Sequence, residues 1–115
     1  MMHEYSLVQS LLEEVLHQAR ENGARRVLSI TLQKGSLSDE SEEALRFYWE
    51  ELSHQTLAEG ATLQIETVSE EMQCLECGMS FPVEGEIEVC PNCAGRYLRS
   101  KFGDALILKS LQLET

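Results

Sequence analysis

The chain reads as an α+β fold: two amphipathic helices over a three-stranded sheet, with a four-cysteine module inserted before the last strand. Three observations predict it. Apolar residues recur at three- and four-residue spacing in two segments and at two-residue spacing in three others. All four cysteines lie in one stretch between the second and third of those strand-like segments. That stretch carries Gly78, Pro82, Gly85, Pro91 and Gly95, a density of turn residues that no helix or long strand tolerates.

The first helix is predicted over Tyr5–Asn22, where Val8, Leu11, Leu12, Val15, Leu16 and Ala19 line one face. Ser6 and Gln9 form a capping box at its start, and Gly23 is placed to end it in a left-handed C′ conformation. Leu28, Ile30 and Leu32 then alternate as the inward face of a strand over Val27–Gln33, stopped by Gly35. A second helix is predicted from Glu40 to His54, with Asp39 as N-cap and Glu42 at N3. Its apolar face is Leu45, Tyr48, Trp49 and Leu52, and Trp49 reads as a core anchor. Thr62–Glu66 alternates as a second strand and Ala105–Leu113 as a third. A ribbon of some thirty residues has no core wide enough to bury that last strand. The strand is therefore expected to return to the helical layer, which makes the cysteine module an insertion and the connection between the first two strands a right-handed crossover.

Composition narrows the function. The 115 residues hold 9 Lys and Arg against 20 Asp and Glu, a net charge of −11, with 43% hydrophobic residues. That apolar content belongs to a folded chain, not a disordered acidic one. The negative surface repels phosphate, so no nucleic acid is expected as a partner. No apolar run approaches the ~20 residues that span a bilayer, so no membrane is expected either. The N-terminus lacks the basic-then-apolar pattern of a secretory signal, which points to a cytoplasmic protein.

Cys74-x2-Cys77 and Cys90-x2-Cys93 are the spacing of a tetrahedral thiolate site, not of a disulfide framework. Zinc is the expected ion, and a rubredoxin-like iron centre is the alternative that similar knuckles leave open. Four thiolates around one ion leave no vacant position, so the site is expected to be structural and to contribute folding free energy to a zinc-ribbon. No nucleophile–base pairing and no phosphate-binding glycine loop accompany it. The chain is not read as an enzyme.

The opening Met1-Met2-His3-Glu4 places an imidazole near the chain's amine. An amine that titrates near pH ~8, backbone amides and an imidazole form a planar nitrogen donor set, which selects Ni(II) or Cu(II) over zinc. His17 and His54 fall on helix surfaces and are assigned no metal role.

The run His3-Glu4-Tyr5-Ser6-Leu7-Val8-Gln9-Ser10-Leu11-Leu12 resembles the N-terminus of the HypA/HybF nickel-insertion factors, which mature [NiFe]-hydrogenases. The likeness continues through Gly35-Ser36-Leu37-Ser38, Ala44-Leu45-Arg46-Phe47 and Glu59-Gly60-Ala61-Thr62-Leu63-Gln64-Ile65-Glu66. It ends with both cysteine pairs and Gly103-Asp104-Ala105-Leu106-Ile107-Leu108-Lys109-Ser110-Leu111. The resemblance implies a nickel metallochaperone with two domains: residues 1–72 plus 103–115 as the nickel-binding α+β domain, and 73–102 as the zinc-ribbon domain. It implies labile Ni2+ at His3, with backbone groups of Met2 and Glu4 (and of Met1 if the chain's own amine takes part), and structural Zn2+ at Cys74, Cys77, Cys90 and Cys93. It implies as partners a nickel-insertion GTPase, the hydrogenase large subunit and, in some organisms, urease maturation proteins. The family pattern begins Met-His-Glu, so Met1 is an additional residue and would turn the site into an amino-X-X-His chelate. A carboxylate after the first strand has been considered a nickel ligand in some members. Asp39 lies nearest and reads first as the helix N-cap. The alternative reading is a zinc-ribbon adaptor that binds proteins and carries no metal cargo.

Overall fold

Helix α1 spans Met2–Glu21 and buries Val8, Leu11, Leu12, Val15 and Ala19 on the face that the periodicity indicates. It begins three residues earlier than the capping-box reading placed it, so Ser6 lies inside the helix. The acidic side chain of Glu4, in the first turn, complements the positive end of the helix dipole. At the other end Gly23 adopts φ +63°, and the Gly23 and Ala24 amides donate to the Arg20 and Ala19 carbonyls at 3.1 and 2.9 Å. That pair of bonds is a Schellman cap, which a residue with a Cβ enters only under strain. The computed structural model describes residues 2–36, 38, 40–83, 87–100 and 106–115.

Strand β1, Arg26–Gly35, is the centre of a three-stranded sheet of order β2-β1-β6, with β2 over Thr62–Val68 and β6 over Ile107–Glu114. β6 runs antiparallel to β1, so the chain does return after the cysteine module. On the other side, Thr31 bonds Gln64 and Gln33 bonds Glu66; both numbers rise together, so β1 and β2 run parallel. The alternation within β1 departs from the sequence reading. Register shifts against β6 between Val27 and Ser29, so Val27 is 1% exposed and Leu28 is 38% exposed. A bulge adds one residue and turns the following side chains over. Ile30 and Leu32 face the core as expected.

Helix α2, Glu42–Ser53, starts two residues later than expected. Its N-cap is Ser41, whose hydroxyl accepts the Ala44 amide at 3.2 Å; the N-cap assigned to Asp39 lies outside the described residues. Glu42 therefore occupies the first helical position, not the third. Leu45 and Trp49 are buried, so the tryptophan is a core residue. Tyr48 packs edge-on against Tyr5, joining the two helices at 5.5 Å between ring centroids.

The chain divides into two compact units, one of Met1–Gln33, Glu40–Glu66 and Leu106–Thr115, the other of Lys34–Asp39 and Thr67–Ala105. The second carries its own antiparallel sheet of order β4-β3-β5, formed by Ser80–Pro82, Glu71–Cys74 and Leu98–Ser100. Its core is small: Cys74, Cys90, Phe81 and Val83, flanked by Met72, Ile87 and Leu98. Among the described residues no helix is long and apolar enough to cross a membrane.

Candidate metal centres

The two cysteine turns have the same backbone. In each, the residue after the second cysteine is left-handed: Gly78 at φ +81° and Ala94 at φ +61°. In each, that residue's amide donates to the first cysteine's carbonyl, Gly78 to Cys74 and Ala94 to Cys90, both at 2.9 Å. The first cysteine's amide donates onward to the residue that follows, Cys74 to Met79 at 2.9 Å and Cys90 to Gly95 at 2.8 Å. The turn tightens until both sulfurs point the same way, which is what a C-x2-C pair needs to offer two donors to one ion.

The four Sγ atoms lie within 4.8 Å of one another. Cys74 and Cys93 are 3.6 Å apart and Cys77 and Cys90 are 3.8 Å apart. A Zn–S bond of about 2.3 Å sets tetrahedral sulfurs about 3.8 Å apart, a spacing these two pairs match, so the donor set suits a four-coordinate ion. Amides support the sulfurs: Asn92 N–H on Cys90 and Gly95 N–H on Cys93, each at 3.4 Å, and the Asn92 side chain on Cys77 at 3.7 Å. Such donors stabilise thiolate charge and orient the ligands. Gly95 has a packing reason as well, because a Cβ there would strike the Glu76 carboxylate, which accepts the Arg96 amide at 3.0 Å.

Before an ion binds, the thiols titrate apart. Bonds from the Met79 backbone and the Asn92 amide draw Cys77 down to about 6. The Gly95 amide acts to lower Cys93, but the neighbouring Cys74 thiol, burial, and Cys77 and Cys90 outweigh it and push Cys93 up to about 12. Four thiols this close cannot all ionise without a cation between them. Cys74 and Cys90 are buried, whereas Cys77 and Cys93 are exposed.

The second set of donors is at the start of α1. His3 stands on its first turn, where a helix makes no intrahelical use of its amide N–H groups. The imidazole is 56% exposed, and its Nε2 lies 3.1 Å from Oε1 of Glu40, a side chain with 0% exposure. Next to it Glu4 is buried, and its Oε1 accepts the Ser41 amide at 3.3 Å. Bonds from its own backbone amide and from Ser41 hold the Glu4 carboxyl below the usual carboxylate range. The starts of α1 and α2 are thereby joined, and His3, Glu4 and Glu40 share one corner. The sequence reading named His3 and missed Glu40. It took that residue as the acidic start of the second helix, and contacts 37 residues apart leave no periodic trace. The donors assigned to the Met1 backbone lie outside the described residues. His17 and His54 are 71% and 70% exposed on the surface, paired with Glu21 and Glu59.

A family model for hydrogenase/urease nickel incorporation, the metallochaperone HypA, matches residues 2–113. The hydrogenase maturation factor HypA of Geobacter metallireducens is 41% identical over 113 residues, covering 98% of this chain and 100% of that protein. The hydrogenase maturation factor HypA of Rhizobium leguminosarum bv. viciae is 38% identical over 112 residues, 97% and 99% of the two chains. The hydrogenase maturation factor HybF of Escherichia coli O157:H7 is 38% identical over 113 residues, 98% and 100%. The solution structure of the Ni metallochaperone HypA from Helicobacter pylori shares the fold, with a TM-score of 0.80 at 24% identity over 96% of this chain and 97% of that one. Fold, cysteine centre and full-length similarity agree, and the chain belongs to the HypA family of nickel metallochaperones for hydrogenase maturation.

Proposed function

We propose that the chain carries nickel as an exchangeable cargo at His3 and delivers it to [NiFe]-hydrogenase, and in some settings to urease, during their maturation. The observation that carries this reading is the His3–Glu40 pair, an accessible imidazole at the chain's start held by a buried carboxylate. A chelate that also uses backbone nitrogens of the first residues takes the ring nitrogen nearer the backbone, Nδ1. Nε2 is then left to donate to Glu40, the carboxylate–histidine–metal arrangement that fixes the tautomer and raises ligand basicity. Backbone groups of Met1, Met2 and Glu4 complete the donor set, and nitrogen donors of this kind favour Ni(II) over zinc. Half-exposed ligands on a first helical turn suit release, because helix ends open at little cost.

Cys74, Cys77, Cys90 and Cys93 would hold zinc, which supplies a four-coordinate crosslink between the two knuckles and no open position for chemistry. This is a delivery factor and not an enzyme. Its receivers on this reading are a nickel-insertion GTPase and the hydrogenase large subunit, with urease maturation proteins as further partners in the cytoplasm. Calorimetric titration of the zinc-loaded chain with Ni2+ tests the site. Loss of nickel binding in His3→Ala, with zinc content unchanged, is the expected result. Equal binding by both chains would refute the assignment, and full maturation activity in His3→Ala would favour a protein adaptor without cargo.

A further inference from the structure

The two cysteine turns are tied to each other as well as to their own strands. β3 pairs with β5 with Cys74 opposite Leu98, and the Leu75 amide continues that ladder by donating to the Tyr97 carbonyl at 2.8 Å. At the next rung a side chain replaces the backbone: the Glu76 carboxylate accepts the Arg96 amide at 3.0 Å. From the second turn the Asn92 side-chain amide reaches back to the Cys77 sulfur at 3.7 Å. Each turn therefore sends one side chain across to the other.

Gly95 is an independent sign that the first of these bonds is built in. Its backbone is not left-handed, so no conformational need keeps a side chain away. The Glu76 carboxylate does, because it lies where a Cβ would stand, with the Cys93 sulfur beside it.

The ion's geometry gives these two bonds a consequence. Each turn contributes one edge of the donor set, Cys74–Cys77 and Cys90–Cys93. In the tetrahedron that suits zinc, opposite edges lie crosswise; in the square plane that suits Ni(II), they lie side by side. Passing from one to the other twists one turn against the other by roughly a quarter turn. Intrinsic affinity does not favour zinc over nickel reliably, so geometry has to separate them.

We propose that Glu76 and Asn92 are positioning residues that hold the two turns crosswise and thereby keep nickel out of the four-cysteine site. The inference rests on the reading of this chain as a nickel carrier with zinc at its cysteines. A carrier whose second site captured the cargo would lose its zinc crosslink and its exchangeable metal together. Both residues are exposed, so neither bond is strong alone, but the two oppose the same twist.

The test compares three zinc-loaded proteins: wild type, the double variant Glu76→Ala with Asn92→Ala, and Glu76→Gln. Each is titrated with Ni2+. Zinc retained after gel filtration is measured by metal analysis, and nickel at sulfur is read from its thiolate-to-metal charge-transfer absorption. Nickel on imidazole and backbone nitrogen gives no such band, so His3 does not contribute. The double variant is expected to exchange zinc for nickel at about tenfold lower nickel than wild type, the usual scale for losing partners of metal ligands. Glu76→Gln keeps an acceptor for the Arg96 amide and is expected to match wild type. Equal exchange by wild type and the double variant overturns the proposal. So does a Glu76→Gln protein that exchanges as readily as the double variant, since charge and not the bond would then be responsible. Metal analysis before titration isolates the underlying reading: a wild type that loads no zinc refutes zinc at the cysteines itself. Should only the double variant fail to load zinc, Glu76→Ala alone is compared with wild type in the same way.

Discussion

His3 Nε2 and Glu40 Oε1 meet at 3.1 Å across 37 residues, an exposed imidazole against a carboxylate with no solvent exposure. If that carboxylate orients the imidazole for nickel, Glu40→Gln keeps the shape and loses the charge-assisted bond. The nickel dissociation constant is then expected to rise by about tenfold or more, the usual cost of removing such a partner. Nickel titration of the variant checks it, with zinc content and helical ellipticity as controls. Unchanged affinity would remove Glu40 from the site.

Cys74→Ser should dismantle the cysteine unit and spare the helices. Among the described residues its core holds only Phe81 and Val83 besides two of the cysteines, too little to fold without the ~10–16 kcal/mol of apparent binding energy that a structural zinc contributes. Metal analysis is expected to show zinc lost, with helical ellipticity retained while the amide resonances of residues 71–100 collapse toward random-coil positions.

The matched left-handed positions after each cysteine pair predict opposite responses. Gly78→Ala places a Cβ at φ +81° and is expected to cost about 1 kcal/mol. Ala94→Gly relieves the same strain at φ +61°, offset in part by a more flexible unfolded chain, and should be neutral to slightly stabilising. Thermal unfolding of the zinc-loaded variants measures both.

Ser41 caps α2 through its hydroxyl on the Ala44 amide. Ser41→Ala is expected to cost about 1 kcal/mol, and Ser41→Gly only a few tenths, in urea denaturation. A loss confined to Ser41→Ala identifies the cap as the cause.

Acid stability depends in part on Glu66. The bond from Lys109, and then that from Gln33, holds its carboxyl below the ordinary value of 4.5. A depressed folded value means that the stabilisation is complete above the unfolded pKa and is lost as pH falls through the folded one. Wild type should therefore lose this contribution below about pH 4.5, and Glu66→Gln should show a shallower acid limb. Denaturation midpoints at neutral and acid pH decide it. Because both partners are about half exposed, added salt should shrink the difference.

Much of this fold could be read from short-range pattern. The buried stripe from Val8 to Ala19 shows in helical spacing, Gly23 marks the C-cap, and the C-x2-C pairs identify four donors meant for one ion. Each is a local fact, set by backbone sterics or by ligand geometry within a few residues. His3 was legible as a candidate from its place beside the amine.

Other features were decided only when distant segments met. Val27 displaces Leu28 from the core because β1 takes its register from β6, and no alternation within β1 records a bulge against a strand some eighty residues away. Ser41 is the N-cap of α2, and its own amide goes to Glu4 on the other helix, a partner 37 residues away. The carboxylate facing His3 is Glu40, because the ends of α1 and α2 converge; four acids and two serines crowd residues 38–43, and nothing local ranks them. Composition and spacing thus determined which elements form and which residues carry soft donors. Burial, register and the partner of each polar group followed from packing, since they depend on which surfaces exclude water from one another.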